Sequence, residues 1–143
     1  MGTALQRFKF EEEDYRTERF ANHSSLLKNN NDILNLTQPE AVKTVHREYL
    51  EAGADIIETN SFNGQKISQG DYNMQDLVLE MNIAASRLAR EEADKFSTET
   101  KWRLVAGALG PTTCSCSVAP KVEDPSFRNI DFDTVKDAYK EQM

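Results

Sequence analysis

Residues 37–60 read TQPEAVKTVHREYLEAGADIIETN, a helix signature followed directly by a strand signature. Thr37 is a favourable N-cap, Pro39 suits the first turn, and Glu40 stands at the capping-box position. The apolar residues behind them recur at helical spacing, which predicts a helix over 38–52. Its expected buried stripe consists of Val42, Val45, Tyr49 and Ala52.

A short β-branched run follows this helix. Gly53 is a natural helix stop, and the run around Ile56 and Ile57 is too brief for another helix. It predicts a buried strand over 55–59. A second run of the same character predicts a buried strand over 103–108.

Two more helices are predicted downstream, one over 74–96 capped by Asn73 and one from Thr134 onwards capped by Asp133. The buried stripe of the longer one would be Leu77, Met81, Ala84 and Leu88. Its solvated face would be Arg87, Arg90, Glu91, Glu92, Asp94 and Lys95. His46 lies off the stripe of the first helix, so we expect it to be exposed.

The remaining segments, 1–36, 61–72 and 113–132, have irregular or turn composition. The element order is therefore helix, strand, helix, strand, helix, and strands joined by a helical crossover are parallel. A parallel sheet of two strands lacks the neighbours that cover its faces and edges. The sequence thus predicts part of a larger α/β structure, either a doubly wound sheet or a (β/α) barrel.

Charge and length exclude several classes of protein. The chain has 143 residues, with 17 Lys and Arg against 24 Asp and Glu, for a net charge of −7. Such acidity argues against nucleic-acid binding by phosphate neutralisation. No apolar run approaches the ~20 residues needed to span a bilayer, and the charged N-terminus is not a signal peptide. We expect a cytoplasmic protein of one domain, without nucleic-acid or membrane partners.

The cysteines, Cys114 and Cys116, are separated by one serine. Residues so close are poorly placed to bridge each other, and a secreted disulfide scaffold needs more of them. As metal ligands they supply fewer than the four that structural zinc requires. We therefore favour the interpretation that both cysteines are ordinary reduced thiols over the interpretation that they are a pair of metal ligands.

Several segments together resemble one known family. The most specific is Glu51–Phe62, EAGADIIETNSF. The others, in chain order, are Met1–Thr3, Asp14–Phe20, Asn30–Leu34, Leu36–Glu40, Gly107–Thr112 and Asp124–Ile130. In this order they resemble the homocysteine S-methyltransferase family and, within it, the N-terminal homocysteine-binding module of cobalamin-dependent methionine synthases.

The resemblance implies a (β/α)8 TIM barrel that binds homocysteine at the C-terminal ends of its strands. Residues 1–143 would be an N-terminal portion of that barrel, truncated at both ends, with about the second and third strand–helix units and without the first strand. In the family, a zinc ion on three cysteines activates the homocysteine thiol and methylcobalamin donates the methyl group. A second barrel carries methyltetrahydrofolate. The zinc cysteines, and the glutamate that holds the substrate ammonium group, would lie past residue 143, so zinc and cobalamin are expected only in the full-length parent.

The resemblance also implies a substrate-binding rim after each strand. Its residues would be Gly2 and Thr3 after the first strand, Asn60 after the second, and Gly110, Pro111 and Thr112 after the third. Free backbone N–H groups at 110–112 could receive a carboxylate. The plainer interpretation makes Asn60 a turn residue and Gly110-Pro111 a bend, and Phe62 is expected to be packing. No catalytic residue or metal ligand is assigned to this chain.

Three hypotheses for function follow. The first is that the chain is part of a methionine synthase and is inactive alone. Its partners would be homocysteine and the remaining modules of the parent enzyme. The second is a non-catalytic homocysteine-binding or regulatory protein. The third is a truncated gene product. Within the family, an S-methylmethionine- or betaine-using enzyme is the alternative, and self-association through exposed strands is expected for the isolated chain.

Overall fold

The computed structural model describes residues 1–143 and contains seven α-helices and two β-strands. In chain order these are α1 (Gly2–Leu5), α2 (Glu12–Arg16), α3 (Leu34–Thr37), α4 (Pro39–Glu51), β1 (Ile56–Glu58), α5 (Lys66–Gln69), α6 (Val78–Phe96), β2 (Leu104–Ala106) and α7 (Phe132–Gln142). Single 3-10 turns cover Gln6–Phe8, Asn31–Ile33, Gly70–Tyr72 and Gln75–Leu77. None of the helices is both long enough and apolar enough to cross a bilayer.

Helix α4 confirms the prediction over 38–52, but it begins differently. Gln38 is the N-cap and no side chain caps the helix, because Thr37 ends α3 and donates its hydroxyl to the Ile33 carbonyl (3.3 Å). The C-terminal end is a Schellman motif, with Gly53 N bonded to Leu50 O and Ala54 N to Tyr49 O, both at 3.0 Å. Gly53 has a φ of +99°, a backbone conformation that glycine adopts without steric cost, and this explains why the helix ends where predicted.

The two strands are parallel, as predicted, and each is shorter than its predicted range. Ile56 pairs with Leu104, Ile57 with Val105 and Glu58 with Ala106. Hydrogen bonds from Leu104 N to Asp55 O and from Thr59 N to Ala106 O, both 2.9 Å, extend the pairing. The arrangement of helices around two parallel strands is compatible with a partial α/β fold.

Only one face of this sheet is covered. Ile57 is 4% exposed and packs with Leu50 of α4 and with Ala89 and Ala93 of α6. On the opposite face Ile56 is 57% exposed and Leu104 is 52% exposed. The prediction of strands buried on both faces is therefore wrong for these two side chains, because nothing in the chain packs over that face.

The larger core lies between α4, α6 and segment 1–36. It consists of Leu5, Tyr15, Leu27, Ile33, Leu34, Val42, Val45, Met74, Val78, Met81 and Leu88. Five of these residues come from segment 1–36, which sequence composition predicted to be mostly irregular. That prediction is wrong, because short helices α1 to α3 fold this segment onto α4 and α6.

Two residues assigned to exposed helix faces are buried. His46 is 1% exposed and Glu92 is 0% exposed, because α4 packs along α6. Glu92 accepts hydrogen bonds from Arg47 Nε (3.2 Å) and Lys95 Nζ (2.5 Å). Burial raises the pKa of Glu92, but these two partners outweigh it and hold that pKa below its ordinary value.

Two predicted caps and one predicted loop also differ. Asn73 has a φ of +55° and donates to the Ser25 hydroxyl (2.5 Å) instead of capping a helix. Asp131, not Asp133, caps α7 by accepting a hydrogen bond from Thr134 N (2.7 Å). Segment 61–72 contains α5 and a 3-10 turn.

Candidate functional site

The candidate site lies where the two parallel strands end. Thr59–Asn63 follow β1 and Gly107–Thr112 follow β2, so both segments meet at the C-terminal edge of the sheet. In α/β structures, ligands bind at this edge. A cavity of about 250 Å³ opens there. Its lining consists of Met1, Gly2, Thr3, Asn31, Asp32, Glu58, Thr59, Asn60, Ser61, Phe62, Asn63 and Ala108.

Asn60 is 4% exposed and is tied into the segment before α4. Its Nδ2 donates to the Asn31 carbonyl (2.7 Å) and to Asn35 Oδ1 (3.2 Å). Its own carbonyl accepts from Asn35 Nδ2 at 2.7 Å. Asn60 therefore fixes one wall of the cavity, and this arrangement also fits the plainer interpretation of a turn residue.

Hydroxyl groups join the ends of the two strands. Thr59 Oγ1 accepts a hydrogen bond from Ala108 N (2.9 Å) and lies 2.7 Å from Ser61 Oγ. Ser61 Oγ donates to the Ala108 carbonyl at 2.9 Å. Gln142 on α7 donates to the Ser61 carbonyl (2.7 Å). The cavity floor is thus held by bonds between segments distant in sequence.

Asp32 is a member of this site that sequence reasoning missed. It is 2% exposed, and its Oδ1 accepts a hydrogen bond from Asn63 N at 3.0 Å. Burial raises the pKa of Asp32 to about 7, against an opposing effect of backbone N–H groups. The one sequence signal was its place in the Asn30–Leu34 segment quoted for the family resemblance, because an aspartate in turn composition is otherwise ordinary.

The predicted rim residues separate into two groups. Gly2, Thr3 and Asn60 line the cavity, whereas Gly110, Pro111 and Thr112 do not. Gly110 N donates to the Phe62 carbonyl (3.0 Å), and the Gly110 carbonyl accepts from the Tyr139 hydroxyl (2.7 Å). The expectation of a free backbone N–H at Gly110 is therefore wrong, since that group is already bonded.

Pro111 has no N–H to offer, and Thr112 donates its hydroxyl to the Cys114 carbonyl (2.5 Å). The prediction that Phe62 is a packing residue is wrong, because its side chain is 57% exposed at the cavity. The substrate-binding role of all six predicted residues stays a prediction.

The residues of this chain do not fit a zinc site. No group of three His, Cys, Asp or Glu side chains lies close enough to hold a metal ion. Cys114 is half-buried, Cys116 is exposed, and both are free thiols. The volume of the candidate cavity, about 250 Å³, suits a small metabolite. It is below the usual volume of pockets that hold drug-sized ligands.

A second cavity, of about 260 Å³, runs beside β1 and is lined by Met1, His46, Tyr49, Ile56, Ile57 and Glu58. The Nε2 atom of His46 is buried without a hydrogen-bond partner. Burial lowers the pKa of His46 to about 4, and the Glu92 carboxylate opposes this shift. The groove follows the edge of β1 that has no neighbouring strand.

Comparison with known protein families gives a match over the whole chain. The family model described as homocysteine S-methyltransferase matches residues 1–143.

Proposed function

The chain belongs to the homocysteine S-methyltransferase family, and from that membership we propose that it is part of the homocysteine-binding module of a methionine synthase. Methyl transfer to homocysteine is the activity of the family. The finer assignment is supported by segments 14–20 and 30–40, which resemble the cobalamin-dependent synthases more than the relatives that use betaine or S-methylmethionine.

The proposed role of the chain is to bind homocysteine in the cavity at the C-terminal edge of the sheet. The observation that carries this proposal is the convergence of Gly2, Thr3 and Asn60 on one cavity lining. They come from two separate segments, the N-terminal residues and the residues after β1, and the family resemblance implied both segments. The cavity has a size suited to a small amino acid.

We further propose that the chain forms part of a barrel whose other strands lie outside residues 1–143. Two features support this proposal. The face of the sheet that bears Ile56 and Leu104 is uncovered, and a groove runs beside β1, which has a partner strand on one edge only. A neighbouring strand would pair with that edge, and barrel-interior side chains would cover that face.

Zinc and cobalamin, in this proposal, are held by residues outside this chain. The side chains at hand do not make a zinc ligand set, and the cavity is small. The chain contributes the binding and orientation of homocysteine. We therefore expect no methyl transfer from methylcobalamin by the chain alone, and turnover by a pure sample that falls on Asn60→Ala would contradict this expectation.

Calorimetric titration of the full chain with L-homocysteine, under reducing conditions, tests the binding role. Thr3→Trp places a large side chain at an exposed position of the cavity lining, so we expect it to abolish saturable binding. Thr100→Trp is the matched control, because Thr100 is exposed and lies before β2, at the opposite end of the strand. Absence of saturable heat with the unmodified chain, or equal binding by both variants, would refute the proposal.

A further inference from the structure

The cavity at the C-terminal edge of the sheet has an unbalanced set of charged groups. Its lining contains two carboxyl side chains, Asp32 and Glu58, and no Lys or Arg. A cavity with this composition favours a ligand that carries positive charge.

Asp32 differs from Glu58 in how it is held. Glu58 is exposed at the end of β1, whereas Asp32 is 2% exposed. Asp32 Oδ1 accepts from Asn63 N at 3.0 Å, which fixes the carboxyl against the segment that follows β1. No cationic side chain contributes to the pKa of Asp32, whose shift comes from burial and backbone N–H groups alone. The chain thus buries a carboxyl group and supplies no cation to balance it.

We propose that the Asp32 carboxylate binds the ammonium group of an amino-acid ligand in this cavity, an inference that rests on the proposed function. An ammonium group has three N–H donors. It can therefore bond to Asp32 and also to the glutamate that the family resemblance implies beyond residue 143. The hydrogen bonds from the backbone of Asn63 and of Asp32 itself use part of this carboxylate, which has about four acceptor sites in all, so it can accept a further bond from the ligand.

In this arrangement the affinity for an amino-acid ligand depends on pH. An ammonium group favours the ionised carboxyl, so it lowers the pKa of Asp32 from its unliganded value of about 7. Binding below that pH therefore releases a proton, and affinity falls as pH decreases from 7 toward 5. The other titratable side chains near Asp32 are Tyr72 and Glu58. Burial raises the pKa of the Tyr72 phenol above its ordinary value, so this group stays protonated over the range.

The test compares L-homocysteine with 4-mercaptobutyrate, which keeps the thiol and the carboxylate but lacks the amino group. Calorimetry on the full chain at pH 7.5 and pH 5.5, in buffers of different ionisation enthalpy, gives both affinity and proton release. We expect 4-mercaptobutyrate to bind the unmodified chain at least about tenfold more weakly and to release no proton, in line with the loss of a charge-assisted hydrogen bond.

Asp32→Asn keeps the size of the side chain and removes its charge. We expect it to weaken L-homocysteine about tenfold, to leave 4-mercaptobutyrate unchanged and to abolish proton release. Asp76→Asn is the matched control, because Asp76 is exposed and lies outside the cavity. Should Asp32→Asn fail to fold, the two ligands and the proton release of the unmodified chain still decide the question.

The outcomes separate this inference from the proposed function. The role of Asp32 is overturned, and the proposed function stands, in either of two cases. In the first, L-homocysteine binds saturably but no more tightly than 4-mercaptobutyrate. In the second, its binding is unaffected by Asp32→Asn. No saturable binding of L-homocysteine to the unmodified chain overturns both.

Discussion

At the scale of single residues, the tightest approach in the candidate site is that of Gly110 to Phe62. A Cβ atom at Gly110 would lie 2.3 Å from the Phe62 carbonyl oxygen and 2.7 Å from a ring carbon. We expect Gly110→Ala to lower the free energy of unfolding by ~1–3 kcal/mol, because backbone or ring must move to relieve the overlap. Urea denaturation measures this loss. Gly107→Ala is the control, since a Cβ there meets nothing within 4 Å, and an equal loss in both variants would contradict the packing argument.

His46 makes stability depend on pH in the acid range. Its folded-state pKa is about 4, below the ordinary value of 6.5, so the unfolded chain binds a proton first as pH falls. The contribution of His46 to the free energy of unfolding should therefore decrease between pH 6.5 and 4 by on the order of 2–3 kcal/mol. Asp32 acts in the opposite direction, because its folded-state pKa is raised to about 7 and its contribution is lost as pH rises through that value.

Comparison with His46→Gln isolates the histidine, because Asp32 is present in both proteins. We expect the stability difference between the unmodified chain and the variant to shrink as pH falls from 6.5 to 4. Denaturant titrations at several pH values measure it. A difference that stays constant over this range would show that His46 protonates normally in the folded chain.

At the scale of secondary structure, the bounds of the helices follow from the sequence, but their buried faces do not. Spacing and the stop at Gly53 predict α4 to within one residue at each end. The buried residues are Val42, Val45, His46 and Leu50, whereas Tyr49 and Ala52 are exposed. The apolar stripe of a helix sets which residues could be buried, and the angle at which α4 meets α6 decides which of them are.

Glu92 shows the same limit from the other helix. Helical spacing places it among charged residues, and a single sequence gives no sign that Arg47 of α4 lies beside it. Burial of this carboxylate depends on the partners from α4 and from its own helix. A pattern within one helix therefore cannot predict it.

The end of α4 offers a test at this scale. Gly53 has a φ of +99°, a conformation that a side chain disfavours by roughly 1–2 kcal/mol. We expect Gly53→Ala to lower the free energy of unfolding by about this amount, as measured in urea. Gly53→Asn should lose less, because asparagine tolerates left-handed backbone better. A Gly53→Ala protein as stable as the parent would show that the helix end rearranges freely.

At the scale of the whole molecule, the sequence predicts strand order and the edge where the site lies, but not the composition of the site. Parallel strands joined by α6 follow from helix and strand periodicity. Asp32 enters the cavity because Asn63, thirty-one positions later, turns back to donate to it. Such contacts between distant segments depend on the packing of three short helices in segment 1–36, which carry no periodic signal.

The uncovered face of the sheet leads to the last prediction, which concerns the isolated chain. Ile56 and Leu104 are more than half exposed there, and both sheet edges are free. Each apolar side chain that remains exposed to solvent contributes none of the ~1.5–3 kcal/mol of stabilisation that burial would give. Ordering the backbone of each residue meanwhile costs ~1–2 kcal/mol of conformational free energy. We therefore expect the chain alone to self-associate by pairing strands between copies.

Sedimentation velocity over a range of concentrations measures this association. Ile56→Lys places a charge on the uncovered face without touching the helix-facing core, so we expect it to reduce self-association. Leu79→Lys is the matched control, because Leu79 is 58% exposed on α6, away from the sheet. An unmodified chain that stays strictly monomeric at every concentration would refute the prediction. Equal effects of both lysine variants would assign association to general surface hydrophobicity instead of the open sheet.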